Sequence, residues 1–178
     1  TFAAPADARA PAVAATAEPA SFQSSRILVE TRGQGPDVVL IPGLASTSAV
    51  WSRTADALQN RYRVHLISVR GFGQIPAGGN AEGRISGPAA AEILRYIDEE
   101  SLTRPALIGH SMGGQVALRV AADGGRRVGR VMVVDASPFF PALLNGAAGA
   151  HDVEPIARLA YQAVVASPCD FFSSRRNG

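Results

Sequence analysis

The sequence predicts an α/β architecture, a mostly parallel sheet flanked by helices, and three features point to it. Strand-like and helix-like segments alternate through the body of the chain, which is the signature of βαβ units. The runs at residues 38–41 and 131–134 are apolar throughout, as expected of strands covered on both faces. The tight turn Gly109-His110-Ser111-Met112-Gly113-Gly114 joins an apolar run to an amphipathic one, so a strand passes directly into a helix.

The elements follow in order. Residues 26–31 alternate Ile27 and Val29 with Leu28 and Glu30, which reads as a short strand near an edge. Gly33-Gln34-Gly35-Pro36-Asp37 is a turn. The strand at 38–41 ends at Pro42-Gly43. Residues 48–60 have helical spacing, with Val50, Trp51, Ala55 and Leu58 on one side and Ser48 as the cap. Residues 63–69 form the next strand, and a polar, glycine-rich loop runs from Arg70 to Gly83. Ser86 caps a helix with Pro88 just inside it and Ala91, Ile93, Leu94 and Ile97 on its apolar face. A strand over 104–108, a helix over 111–123 stopped by Gly124-Gly125, and a buried strand over 130–135 complete the alternation. Beyond it, residues 154–165 read as one amphipathic helix, and the segment from Ser167 has no period.

Composition narrows the class. Of 178 residues, 47% are hydrophobic and 18% charged, which is globular and sufficient for one domain with a core. Net charge is +2 and the arginines are scattered, so nucleic-acid binding is not indicated. Arg126, Arg127 and Arg130 are the densest basic group and read as a solvated helix end and loop. Cys169 is the single cysteine, so no internal disulfide forms. No apolar run reaches the roughly 18 residues of a membrane span. The His and Cys residues have no ligand spacing, so no metal is expected, and no cofactor motif is present.

Organisation is expected in three parts: a disordered Ala/Pro-rich leader over 1–22, a core over 23–138, and an irregular segment over 139–178. An Ala/Pro-rich start at Thr1 fits a periplasmic or secreted protein, with a cytoplasmic one as the alternative.

The glycine-flanked serine carries the chemistry. In the strand–turn–helix context G-x-S-x-G is a nucleophile elbow, with Ser111 as nucleophile. Gly109 and Gly113 stand where the backbone folds back on itself and no Cβ fits, and His110 lies beneath the nucleophile. The helix beginning at Ser111 aims its free N–H groups at the reacting oxygen. The backbone N–H of Met112 is then one oxyanion donor. The N–H of Leu44, on the loop after the strand at 38–41, is the second, with Gly43 permitting close approach.

The chain resembles the α/β-hydrolase fold family, in its serine-esterase-like branch. The resemblance runs over residues 26–138 and rests on VVLIPGLAS (38–46), RGFGQ (70–74), ISGPAAAEILRYIDE (85–99), RPALIGHSMGG (104–114) and VGRVMVVDASP (128–138). It implies that Ser111 is the nucleophile and that the substrate is a small-molecule acyl compound, since Asp-nucleophile branches carry Asp at that position. The chain order implied is nucleophile, acid, histidine. Asp135 is the candidate acid; it also fits a structural aspartate at a strand end, accepting backbone N–H bonds. His151 is the candidate base, as the one histidine after Ser111; His65 lies upstream and reads as a packed or surface histidine.

Against the family pattern this is a partial fold, lacking the last strands and helices, with the start of the cap or lid after residue 138. Two readings remain at this point: an active serine hydrolase, or a truncated, catalytically incomplete fragment of one. A sheet that stops after residues 130–135 leaves an apolar edge, and self-association through it is expected.

Overall fold

A computed structural model describes residues 22–138, 145–147 and 149–166. The leader expected over 1–22 lies outside the described residues except for Phe22, as does the segment from Ser167 onward. The elements are β1 (Ile27–Arg32), β2 (Asp37–Ile41), α1 (Ser52–Leu58), β3 (Arg63–Val69), α2 (Ser86–Glu99), β4 (Ala106–His110), α3 (Met112–Gly124), β5 (Arg130–Val134) and α4 (Ala150–Ala166). Among the described residues, five strands lie in the order β1-β3-β2-β4-β5. β1 runs antiparallel to β3, and the remaining neighbours are parallel. The fold class is the expected one, a mostly parallel sheet flanked by helices.

β2 shows why its sequence is apolar without alternation. Val39 and Ile41 face the core built with α2 and α3, while Val38 and Leu40 face the core under α1. Both sets are buried, so a slip of one residue would exchange two packed faces at once. β1 has one buried side only: Ile27 and Val29 join the α2–α3 core, and Leu28 and Glu30 look outward. α2 supplies Ala89, Ala90, Ile93, Leu94, Tyr96 and Ile97 to that core.

Several local expectations are corrected. The helix expected from Ser48 begins as a 3-10 turn, Ser48–Trp51, before α1. Its cap is Thr47, whose hydroxyl accepts from the Ala49 N–H, and the Ser48 N–H donates to the Ser68 hydroxyl at 2.9 Å. Val50 is 56% exposed, since the tighter turn rotates it off the apolar side. α2 has Ile85 at its cap position and no side-chain cap, and Ala91 faces solvent. β4 starts at Ala106, later than expected, because Arg104 adopts a left-handed conformation (φ 49°) that breaks extended pairing.

β5 is not a buried strand. It is the sheet's edge among the described residues, and Val131 and Met132 are 36% and 58% exposed. α1 covers β2 and β3 on its side of the sheet but does not extend over β5. α4 begins at Ala150, earlier than expected, and leaves Ile156 and Leu159 exposed.

At the end of the sheet where β2 and β3 begin, a polar group is built into the core. His65 is 1% exposed; its Nε2 lies 3.0 Å from Asp37 and its Nδ1 2.6 Å from the Tyr96 hydroxyl. Asp37 also accepts from Arg63 at 2.6 Å. Of the two readings open for His65, the packed one holds. Residues 22–26 are fastened alongside: Phe22 stacks edge-on against Tyr96, and the Arg95 guanidinium lies 4.3 Å above the Phe22 ring.

Candidate active site

Ser111 lies between the last residue of β4 and the first of α3, at φ 52° and ψ −122°. A non-glycine residue held there costs about 1–3 kcal/mol and persists only where its surroundings over-determine it. They do so here. The Ser111 N–H donates to Val134 O of β5 at 3.0 Å, and its carbonyl accepts from the N–H groups of Gly114 (2.9 Å) and Gln115 (3.3 Å). A Cβ on Gly109 would overlap the Gly113 carbonyl, and one on Gly113 would overlap the carbonyls of Ile41 and Pro42. A Cβ on Gly114 would stand 2.8 Å from the Ala136 methyl. The glycines thus let β4, α3 and the end of β2 meet backbone to backbone around the serine.

The loop after β2 reaches the serine because β2 and β4 are parallel neighbours, with Ile41 paired to Gly109. Gly43 is buried, and a Cβ on it would lie 3.2 Å from the Ser111 Cβ and 3.1 Å from His110 Nδ1. The His110 ring therefore packs against the Pro42-Gly43 loop. The next N–H belongs to Leu44. Neither it nor the Met112 N–H has an acceptor among the described residues. Two backbone donors without an acceptor thus stand next to Ser111 in sequence (Met112) and next to Gly43, which approaches it (Leu44), and Met112 is at a helix N-terminus that favours negative charge.

Asp135 follows the last residue of β5 and is itself left-handed (φ 48°) and exposed. Its carboxylate accepts no hydrogen bond among the described residues, so the backbone bonds expected of a structural aspartate are absent there. The loop bearing it is clamped to the elbow helix, with Gln115 Nε2 donating to Ser137 O at 3.0 Å. His151 lies in the first turn of α4, exposed, beside Glu154, Pro155 and Arg158 of its own helix. No hydrogen bond joins it to Ser111 or Asp135 among the described residues. Gln115 is absent from the sequence-level candidates, because a glutamine inside a helix gives no signal of what it will clamp.

Among the described residues no group of three or more His, Cys, Asp or Glu is placed to hold a metal ion, and no helix is long and apolar enough to cross a membrane.

The strained serine between strand and helix, the three crowded glycines and the loop after β2 form one tight strand-to-helix turn on a mostly parallel sheet. The chain belongs to the α/β-hydrolase family: the model of the alpha/beta hydrolase fold matches residues 36–176. It is similar to the pimeloyl-[acyl-carrier protein] methyl ester esterase of Aeromonas hydrophila subsp. hydrophila, 40% identical over 116 residues, covering 65% of this chain and 44% of the relative. The enzyme of the same name from Vibrio campbellii is 33% identical over 119 residues, covering 67% of this chain and 44% of the relative. Among solved structures, an esterase from Exiguobacterium antarcticum superposes with a TM-score of 0.56 at 29% identity, covering 62% of this chain and 41% of that one. The chain spans less than half the length of these relatives.

Proposed function

We propose that this chain carries the nucleophile and oxyanion half of a serine hydrolase acting on carboxylic esters of small acyl groups. The observation that carries the reading is Ser111 held at φ 52° at the start of α3, with Gly43 packed against it and the N–H groups of Met112 and Leu44 unengaged. The Ser111 hydroxyl attacks the ester carbonyl and gives up its proton to a base. The carbonyl oxygen becomes an oxyanion facing the N–H groups of Leu44 and Met112. The alcohol leaves with a proton, and water then releases the acid and frees the serine. The names of the relatives support a methyl ester of an acyl chain as the substrate type. Asp135 is proposed as the acid, because its carboxylate is unengaged on a loop clamped beside the elbow. His151 is proposed as the base.

A second reading has its own support. His151 stands on an exposed helix with no bond to Ser111, which favours a form in which the base is not in place. Triad members act as a unit, so such a form loses orders of magnitude in rate. A fluorophosphonate probe separates the readings. Labelling that Ser111→Ala abolishes, with turnover of a chromogenic short-chain ester, supports the active enzyme. Absence of labelling in folded protein supports the incomplete one. We also infer that the chain self-associates through the exposed β5 edge, which presents Val131 and Met132.

A further inference from the structure

A second concavity lies at the opposite end of the sheet from Ser111, where β2, β4 and β5 begin. Arg104 precedes β4 and Ser111 follows it, so the two places are about 20 Å apart along an extended strand. The cavity, of about 320 Å³, is lined by Tyr62, Thr103, Arg104 and Arg130 over a floor that includes Val38 and Ala106. We propose that it binds the phosphate group of a small phosphate monoester. This assignment is independent of the hydrolase reading.

The charge at this place is uncompensated. Elsewhere Arg32, Arg63, Arg95, Arg119, Arg127 and Arg158 each engage a carboxylate, whereas Arg26, Arg53, Arg61, Arg70, Arg84 and Arg126 form no ion pair among the described residues. Arg104 and Arg130 engage none among the described residues, and the hydroxyls of Tyr62 and Thr103 have no hydrogen-bond partner there either. Asp37 also borders the cavity but does not neutralise it. Its carboxylate is 8% exposed and already accepts from Arg63 and His65. Two permanently charged arginines and two hydroxyl-bearing residues lining one hollow offer the donors that a tetrahedral dianion accepts in charge-assisted bonds.

The hollow is also held in shape at a cost. Arg104 is left-handed, and Gly129 allows it: a Cβ there would overlap the Arg104 carbonyl, while the Gly129 N–H donates to Pro105 O at 3.0 Å. This contact locks the turn before β4 against the start of β5, and the register places Arg130 opposite Ala106. Arg104, two residues before Ala106, and Arg130, which pairs with Ala106, both line the hollow. A glycine at 104 would relieve the strain. The Tyr62 ring and the apolar floor give a compact organic group somewhere to rest, and the volume suits a small ligand.

Calorimetric titration of the full chain at constant ionic strength tests the site, with inorganic phosphate, phenyl phosphate and acetate as probes. Saturable binding of both phosphates is expected, tighter for phenyl phosphate, with acetate not binding. Arg130→Gln is expected to weaken phosphate binding at least about tenfold. Arg104→Gly is expected to weaken it similarly while raising the urea midpoint, which separates loss of ligand from loss of fold. Equal affinity for the two phosphates points to free phosphate as the source and keeps the anion site. Affinity unchanged in both variants, acetate binding as tightly as phosphate, or no saturable binding overturns the proposal.

Discussion

Replacing Gly113 by alanine is expected to destabilise the fold by about 2 kcal/mol, although alanine is the better helix former. Gly113 is the second residue of α3 and is buried. Its conformation is helical, so alanine alone would contribute about 1 kcal/mol in favour of the helix. The added Cβ, however, overlaps two backbone oxygens, those of Ile41 and Pro42. These belong to the end of a central strand whose side chains are packed on both faces, so neither can retreat as a flexible side chain would. Overpacking of this kind costs about 3 kcal/mol at the upper end of its usual range, which leaves the net loss stated. Gly87, also the second residue of a helix, is the control: a Cβ there meets nothing within 4 Å. Gly87→Ala is expected to stabilise by about 0.5 kcal/mol. With a urea m-value of about 2 kcal/mol per molar, the midpoint falls by about 1 M in the first variant and rises by about 0.3 M in the second. Because Pro42 leads into Gly43 and Leu44, Gly113→Ala should also slow fluorophosphonate labelling of Ser111. A Gly113→Ala midpoint at or above wild type, with m unchanged, would refute the account of the elbow as a backbone-to-backbone contact.

Further outcomes follow from other parts of the molecule. Burial pushes the His65 imidazole below its ordinary value, against the opposing hydrogen bond to Asp37. The folded state therefore resists protonation of His65, and stability declines as pH falls below about 6.5. For Asp37, burial alone would raise the carboxyl, but the hydrogen bonds from Arg63 and His65 hold it below the usual carboxylate range. Its contribution is intact above about pH 4 and lost as pH falls further. Urea midpoints at pH 8, 6 and 5 read the first decline, and His65→Gln should flatten it; a wild-type midpoint independent of pH over that span contradicts the burial argument. Arg95→Ala removes the cation above Phe22 and the 2.7 Å bond to Gln23 O and is expected to loosen residues 22–26. The Gly79 amide, which donates to Ser25 O, should then exchange faster with deuterium, and unchanged exchange counts against the fastening of residues 22–26. Met132→Lys places a charge on the exposed edge strand and is expected to lower the mass measured by light scattering; an unaltered mass argues against association through β5.

The order of strands and helices and the elbow were legible from residue pattern because each rests on local rules. An apolar run of β-branched residues has few ways to be buried, and glycines two residues either side of Ser111 leave little choice of turn. The ends of elements were less legible where a distant group intervenes. The first turn starts at Ser48 with Thr47 as its cap, and the Ser48 N–H is held by Ser68 on β3. β4 starts late because Arg104 is held left-handed against Gly129. β5 looks like a buried strand in sequence, since hydrophobicity records what a segment can bury and not whether a neighbour is present to cover it.

The sequence by itself determined the α/β class, the glycine-flanked turn at Ser111 and the loop that meets it, because those depend on local periodicity and on where a Cβ cannot stand. Only the tertiary structure decided that Asp135 is strained and unengaged, that Gln115 clamps its loop, that His65 is buried on Asp37, and that Arg104 and Arg130 share a hollow. Each of these joins residues from separate strands or helices. Their relation is set by strand order and register, which no short stretch of sequence contains.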